Sequence, residues 1–458
     1  MQNQSENKMG VMPIGKLVMN MSLPMMISML VQALYNIVDS IYVSRVSEAA
    51  LTAVSLSFPA QNLMVGLATG TAVGVNALLS RALGAGDRER ANKIAENGVF
   101  LAMVGFVIFM IFGAFGSRVF LEAQTANEQI IQYGVNYLVV CCCCSFGLFG
   151  QIIFERLMQS TGRTIYTMYT QGIGAIINII LDPIFIFTFN MGVQGAAVAT
   201  VVGQIVAFGI AVVLNHKKNP DIQLNLKKFR PDARLIGQIY AIGIPSVIMV
   251  GIGSIMTFLM NIILITYTTG KETAATVFGV YFKLNSFAFM PVFGLNNGVI
   301  PIIAYNYGAK NRKRMTKAVK VALCYAMGFM LLGTVLFEVI PHVLLGLFDA
   351  NEMMLSIGIP ALRIIGLTFP IAAVCIVLGS VFQALGYGTY SMFTSIARQL
   401  VALIPAAWLL ARLGQSIGND NLVWLSYPIA EVFSAVVTAF LFIRLYKNVV
   451  SKVPEGRM

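Results

Sequence analysis

The fold this sequence predicts is an all-α integral membrane protein, with twelve transmembrane helices in two pseudo-symmetric six-helix lobes and a central cleft. Three observations carry that expectation. Of 458 residues, 57% are hydrophobic and only 11% charged, against about 25% charged in soluble domains. The apolar residues gather into runs long enough to cross a bilayer, which takes about 20 residues per helix. Two blocks of the chain recur at one constant shift of 224 positions.

Taken in order, the first half is expected to span at 17–43, 53–82, 94–119, 131–157, 163–189 and 192–215. The first of these carries Leu23-Pro24 near its start. The basic loop LGAGDRERANK (83–93) separates the second and third, and the fourth holds four consecutive cysteines, Cys141–Cys144. The second half is expected to span at 237–268, 275–306, 318–347, 353–384, 388–411 and 422–446. Several runs exceed 25 residues, which calls for tilt or for extension beyond the apolar layer.

The repeat ties the halves together. LGAGDRERANK matches YGAKNRKRMTK (307–317), so that Gly84, Arg88, Arg90 and Lys93 return as Gly308, Arg312, Arg314 and Lys317. QSTGRTIYTMYT (159–170) maps onto QALGYGTYSMFT (383–394) at the same shift. Ile244-Pro245 answers Leu23-Pro24 after a small length difference. Six spans per half is an even number, so both halves start on one face and the repeat axis runs along the membrane normal. The longest polar connection, HKKNPDIQLNLKKFRPDAR (216–234), lies at mid-chain. The expected units are therefore an amino-terminal lobe at 1–215, a linker at 216–236 and a carboxy-terminal lobe at 237–458.

The net charge of +12 does not point to nucleic acid, because the cations lie in short segments between apolar runs. One side collects Lys8, Lys16, the two basic loops, the linker with Lys227 and Lys228, and a tail with Arg444, Lys447, Lys452 and Arg457; the other has only Arg45, Arg118, Lys271 and Arg412. That asymmetry places both termini in the cytoplasm. No cleavable signal peptide is expected, since the first apolar run is too long for one. The six cysteines show neither disulfide nor zinc spacing and read as packing residues. No phosphate-binding loop, HExxH or nucleophile elbow occurs, so neither ATP-driven pumping nor a cofactor is expected.

The informative residues are the acids inside apolar runs. A mid-membrane carboxylate costs about 2.5–3.5 kcal/mol and marks a functional candidate. In IINIILDPIFIF (176–187), Asn178 and Asp182 are four apart and share a helical face. Pro183 lacks an N–H and frees the carbonyl of Ile179 on the neighbouring turn. In the first span, Gln32, Tyr35, Asn36 and Asp39 form a polar stripe that should face a cavity rather than lipid. If both stripes face one cavity, Asp39 and Asp182 would share a proton and titrate as a unit. Sodium held by carboxylate, amide and carbonyl oxygens is the competing use, and a plain interhelical hydrogen bond the structural one.

At the shift of 224, Asn178 and Asp182 become Ala402 and Ala406. The scaffold is duplicated and the acidic site is not, so ion coupling is expected in the first half. Arg398 and Glu431, inside the eleventh and twelfth spans, read as a structural pair or as a gating element. Glu155 and Arg156 are expected at the membrane interface. The 25 Met and 30 Phe suit promiscuous apolar binding as well as ordinary membrane packing.

The chain resembles the multidrug and toxic compound extrusion (MATE) family over roughly residues 14–447, and within it the DinF-like branch. The resemblance rests on Pro24 followed by Asp39 and VSRVSEAALTAVSLSFP (43–59), on GAGDRERA (84–91) with its echo GAKNRKRM (308–315), on NIILDPIFIF followed by GVQGAAVAT (192–200), and on RQLVALIP (398–405) with YPIAEVF (427–433). It implies a monomeric secondary exporter of lipophilic, often cationic drugs, driven by protons or alternatively by Na+, in a prokaryotic plasma membrane. It further implies a cation site at Asp39, Asn178, Asp182 and Thr200, with Tyr137 in the same cavity. The second-lobe sodium acids of other branches have no counterpart here. A lipid-linked oligosaccharide flippase and a membrane enzyme are the rival readings. The first wants cations in the cleft, whereas most here lie in loops. The second wants a catalytic cluster, whereas the only two His, His216 and His342, lie near loop edges.

Overall fold

A computed structural model describes residues 7–225, 227, 229–348 and 350–456, apart from the side chains of Ser44 and Glu48. Lys228 and Arg457 of the basic pattern lie outside the described residues. Among the described residues, ten helices are each long and apolar enough to cross a bilayer, and two bent pairs, each taken as one span, bring the spans to twelve. The first six are Ile14–Ser44, Glu48–Gly84, Arg88–Glu122, the pair Glu128–Cys143 and Phe146–Ser160, Thr164–Thr188, and Gly192–Lys218. The last six are Ala233–Tyr267, Lys271–Gly308, Arg312–Val339, the pair Glu352–Gly366 and Phe369–Ala384, Gly388–Ile417, and Ser426–Asn448. Large apolar side chains point outward along these helices, Phe115 most openly at 81% exposure, as a surface bathed in lipid requires.

One expectation is corrected. The ninth span stops at Val339 rather than continuing to 347, because Pro341 cannot donate to it and opens a separate helix, Pro341–Gly346. The fourth and tenth spans are not straight: they bend by 44° and 50°. In the tenth, Pro370 in the first turn of Phe369–Ala384 cannot extend the preceding helix.

The repeat is written into the backbone at the same shift. Helices start at Arg88 and Arg312, at Glu128 and Glu352, and at Thr164 and Gly388. The side chains of Asp87 and Asn311 accept from the N–H of Arg90 and Arg314, at 3.0 and 3.1 Å. Asn127 and Asn351 cap the next pair in the same way. Gly162 and Gly386 hold left-handed turns with φ of 86° and 91°, which L side chains avoid.

The halves meet through the first span against the eighth, and the second against the seventh and eighth. Helix association in lipid depends on close packing of small residues. An added Cβ at Gly70 would lie 2.7 Å from the Gly243 carbonyl oxygen, and one at Gly298 2.7 Å from Ser22 Cα. The opening turns of the first span (Ile14, Leu17, Val18, Met21) join the core of the second half, while Leu235 and Ile239 of the seventh join that of the first. Each half therefore lends its leading helix to the other, on the face that carries both chain ends. The mid-chain connection lies against the third span, where Asn92, Glu96 and Asn97 side chains accept from the backbone N–H of Gln223, Asn225 and Asp232.

Candidate functional site

Asp182 and Asn178 are both buried on the fifth span. The Asn178 amide links Asp182 to Thr200 of the sixth span. In the orientation that satisfies both neighbours, its nitrogen donates to Asp182 Oδ2 at 3.2 Å, and its oxygen accepts from the Thr200 N–H at 3.1 Å and hydroxyl at 3.2 Å. Pro183 follows at once, and the next residues, Ile184–Thr188, form a wide π turn. Such turns arise where a helix loses a regular hydrogen bond, and they favour functional sites.

Asp39 of the first span stands within electrostatic reach of Asp182. Its Oδ1 is shielded from solvent and has no hydrogen-bond partner. A bare buried carboxylate oxygen is costly unless a proton or cation meets it. Tyr35 lies near both acids. Tyr137 is buried close to Asp39, and its hydroxyl accepts from Gln61 Nε2 at 3.0 Å.

A cavity of about 180 Å³ opens beside this cluster, with Gln32, Tyr35, Asn178 and Thr200 in its wall and Met25, Met29, Leu148 and Ile152 as apolar lining. Asn36, on the same stripe as Gln32, does not line it and is exposed. The other end of the cavity holds Glu155 and Arg156. Both are buried, at 2% and 8% exposure, rather than open to water as charged residues near the end of a span usually are. Glu155 accepts from Thr170 Oγ1 at 2.7 Å, Gln171 Nε2 at 2.8 Å and Gln151 Nε2 at 3.0 Å. Arg156 Nη1 donates to Gln159 Oε1 at 2.8 Å and, across the halves, to Asn297 Oδ1 at 3.0 Å. Glu155 meets the fifth span at Gln171, and Asp182 lies eleven residues further along it, about three helical turns or roughly 16 Å away.

Thr170, Gln171, Gln151, Gln61 and Asn297 were not singled out in the sequence. They are uncharged, and only Gln151 carries a sequence signal, four residues before Glu155 on the same helical face; the others are brought to the site by packing. In the second half, Arg398 Nη1 donates to Glu431 Oε1 at 3.2 Å, and Glu431 Oε2 is buried without a partner. Arg398 lies in a second π turn, Ala397–Leu403. The pair is separate from the acid cluster of the first half.

Comparison with known proteins agrees with this geometry. The family model MatE matches residues 24–184 and 245–409. A multidrug export protein MepA from Staphylococcus haemolyticus (strain JCSC1435) is 27% identical over 431 residues, 93% of each chain. A crystal structure of MATE in the straight conformation superposes with a TM-score of 0.91 at 26% identity, over 98% of this chain and 100% of that one. An outward-facing multidrug resistance MATE family transporter of the MOP superfamily gives 0.90 at 25% identity, over 99% and 100%.

Proposed function

The chain belongs to the MatE family, and on that premise we propose that it is a secondary active multidrug exporter, expelling lipophilic, often cationic compounds in exchange for protons. The relatives named as multidrug export proteins support the first part. One observation carries the second: carboxylates from two different spans stand within electrostatic reach of each other, and one of their oxygens, Asp39 Oδ1, is buried without a partner.

In this reading Asp39 and Asp182 form the coupling site, with Asn178 and Thr200 fixing Asp182. Cargo enters the adjoining cavity, where Gln32 and Tyr35 give polar contacts and the Met and Leu side chains adapt to apolar shapes. Protons that reach the acids from outside neutralise them. Neutral acids no longer attract a cation, and they exchange hydrogen bonds between the first, fifth and sixth spans. A ligand shifts a two-state equilibrium only by its differential affinity for the two states. Proton and cationic cargo therefore compete, and that competition drives the cycle. Carboxylate, amide and hydroxyl oxygens at the same four residues also form a set that suits Na+, which is the second reading.

The arrangement is further read as two lobes, 1–215 and 237–458, joined by the linker 216–236. The protein is read as a monomer in a prokaryotic plasma membrane, in line with its bacterial relatives, and the one-sided Lys and Arg distribution supports cytoplasmic termini. The test is efflux of a fluorescent lipophilic cation from proteoliposomes under separate proton and sodium gradients. A proton gradient alone should drive export, and Asp39→Asn and Asp182→Asn should each abolish it while the protein stays folded. Full export by both variants overturns the site. Efflux driven at fixed pH by sodium alone overturns the proton.

A further inference from the structure

On the face that carries both chain ends, a cleft of about 680 Å³ lies between the halves. Its walls hold Arg81 and Arg90 from the first half and Lys310 and Lys452 from the second, with Asp87 as the acid among them. Asp87 is committed elsewhere, since its Oδ1 accepts the backbone N–H of Arg90. The Arg81 guanidinium lies over the Tyr307 ring, 4.6 Å from its centroid, and Arg90 Nη2 donates to the neutral Gln238 at 3.1 Å.

Some cations elsewhere on this face meet acids: Arg312 and Lys313 pair with Glu455, Lys93 with Glu89, and Arg163 with Asp221. Among the described residues, the four cations of the cleft form no ion pair. Gathering them costs mutual repulsion, which an anion would relieve.

The backbone adds an independent sign. At the turn after the second span the chain uses Gly86, with φ of 75°. The equivalent turn after the eighth span places Lys310 in the same left-handed region, with φ of 54°. A side chain there carries strain that glycine avoids, and a strained residue that persists is a candidate for function. The strain here holds an ammonium group in the cleft.

We propose that this cleft binds a phosphate group, carried on an anionic lipid headgroup or free in solution, which bridges Arg81 and Arg90 to Lys310 and Lys452. Because those cations come from both halves, the bound anion ties the halves together on this face and favours the conformation closed there. Basic pockets between membrane helices hold lipid phosphates in this way, at about 1 kcal/mol per cation, or roughly fivefold in affinity for each.

The full chain is to be reconstituted in phosphatidylcholine nanodiscs, with and without phosphatidylglycerol, and in phosphatidylcholine nanodiscs with millimolar inorganic phosphate. Thermal midpoint and lipid retention by native mass spectrometry are then measured for wild type, Lys310→Gly and the Arg81→Ala/Lys452→Ala variant. Phosphatidylglycerol should raise the wild-type midpoint and remain bound. The single variant should weaken retention about fivefold and the double variant by more. Lys310→Gly copies the turn the chain already builds at Gly86, so a loss there is not a folding defect. An equal rise with inorganic phosphate, lost in the same variants, supports the site and names soluble phosphate as its source. No response in wild type, or the same response in all three proteins, overturns the proposal.

Discussion

Arg156, from the fourth span, donates at 3.0 Å to Asn297 Oδ1 on the eighth. It is one point where the wall of the cavity touches the opposite half. A hydrogen bond to a charged group contributes about 1.5–3 kcal/mol. Asn297→Ala should therefore shift the balance between the two conformations while leaving cargo contacts in place. Spin labels on the two halves should report a broader distance distribution, with a wider separation on the face that bears the termini. An unchanged distribution would show that this bond does not hold the halves together.

Glu155 offers the cleanest test of charge in the cavity. Its three donors, Thr170, Gln171 and Gln151, can be kept largely satisfied by glutamine, so Glu155→Gln mainly removes a charge. Binding of a lipophilic cation should weaken on the order of tenfold, the scale of one charge at intermediate effective dielectric. A neutral cargo of similar shape should be almost unaffected. Equal loss for both would mean that Glu155 acts through structure.

Glu155 also shows where reading from sequence stops. The fold was legible because span length and the 224-residue shift are properties of the chain itself. Asp39 and Asp182 were legible because a charge deep in an apolar run has no local partner. Glu155 and Arg156 sit close to the basic end of their span, where such residues normally reach water. Their burial comes from the fifth and eighth spans closing over them, which no local pattern records. The bend at Leu367–Thr368 and the π turn beside Asp182 do have local signals, Pro370 and Pro183, whereas the bend at Cys144–Ser145 has no proline to mark it.

Thr200 tests the Asn178 link. Thr200→Val keeps the shape and removes the hydroxyl, leaving the Asn178 oxygen with the backbone N–H alone. One buried hydrogen bond of this kind contributes about 1 kcal/mol, so in a chain of this length the thermal midpoint should fall by about one degree. Under the proposed coupling, proton-driven efflux should fall further than cargo binding does. If both fall together, Thr200 supports the fold and not the coupling site.

Lys8, ahead of the first span, gives a pH signature. Its ammonium donates to Asn20 Oδ1 at 2.5 Å. Burial, and to a lesser extent the Arg163 guanidinium, pulls its pKa from the ordinary 10.5 down to about 8. Between those values the unfolded chain holds more protons than the folded one, so stability rises with pH across roughly pH 8 to 10.5. Thermal midpoints of the wild type should climb through that window, and Lys8→Met should remove the climb. The same slope in the variant would assign it to another group.

The last prediction uses the pseudo-symmetry itself. An added Cβ on Gly84 would run into the Tyr305 carbonyl oxygen, and one on Gly308 into the Arg81 carbonyl oxygen. Arg81 and Tyr305 are themselves repeat equivalents, so the second and eighth spans cross with each glycine beneath the other's backbone. Neither obstacle is a flexible side chain, so Gly84→Ala and Gly308→Ala must push the halves apart on this face. A conformation that lacks the crossing escapes the clash, so both variants should favour it, and to a similar degree. A shift from 99:1 to 1:99 needs about 5.5 kcal/mol, and a backbone collision of this kind reaches a sizeable part of that. Cysteines placed along the cavity wall should become more reactive to a polar thiol reagent added from the terminus-bearing face in both variants. If only one variant opens, the two crossings are not energetically equivalent; if neither opens, the glycine crossing is not what holds this face shut.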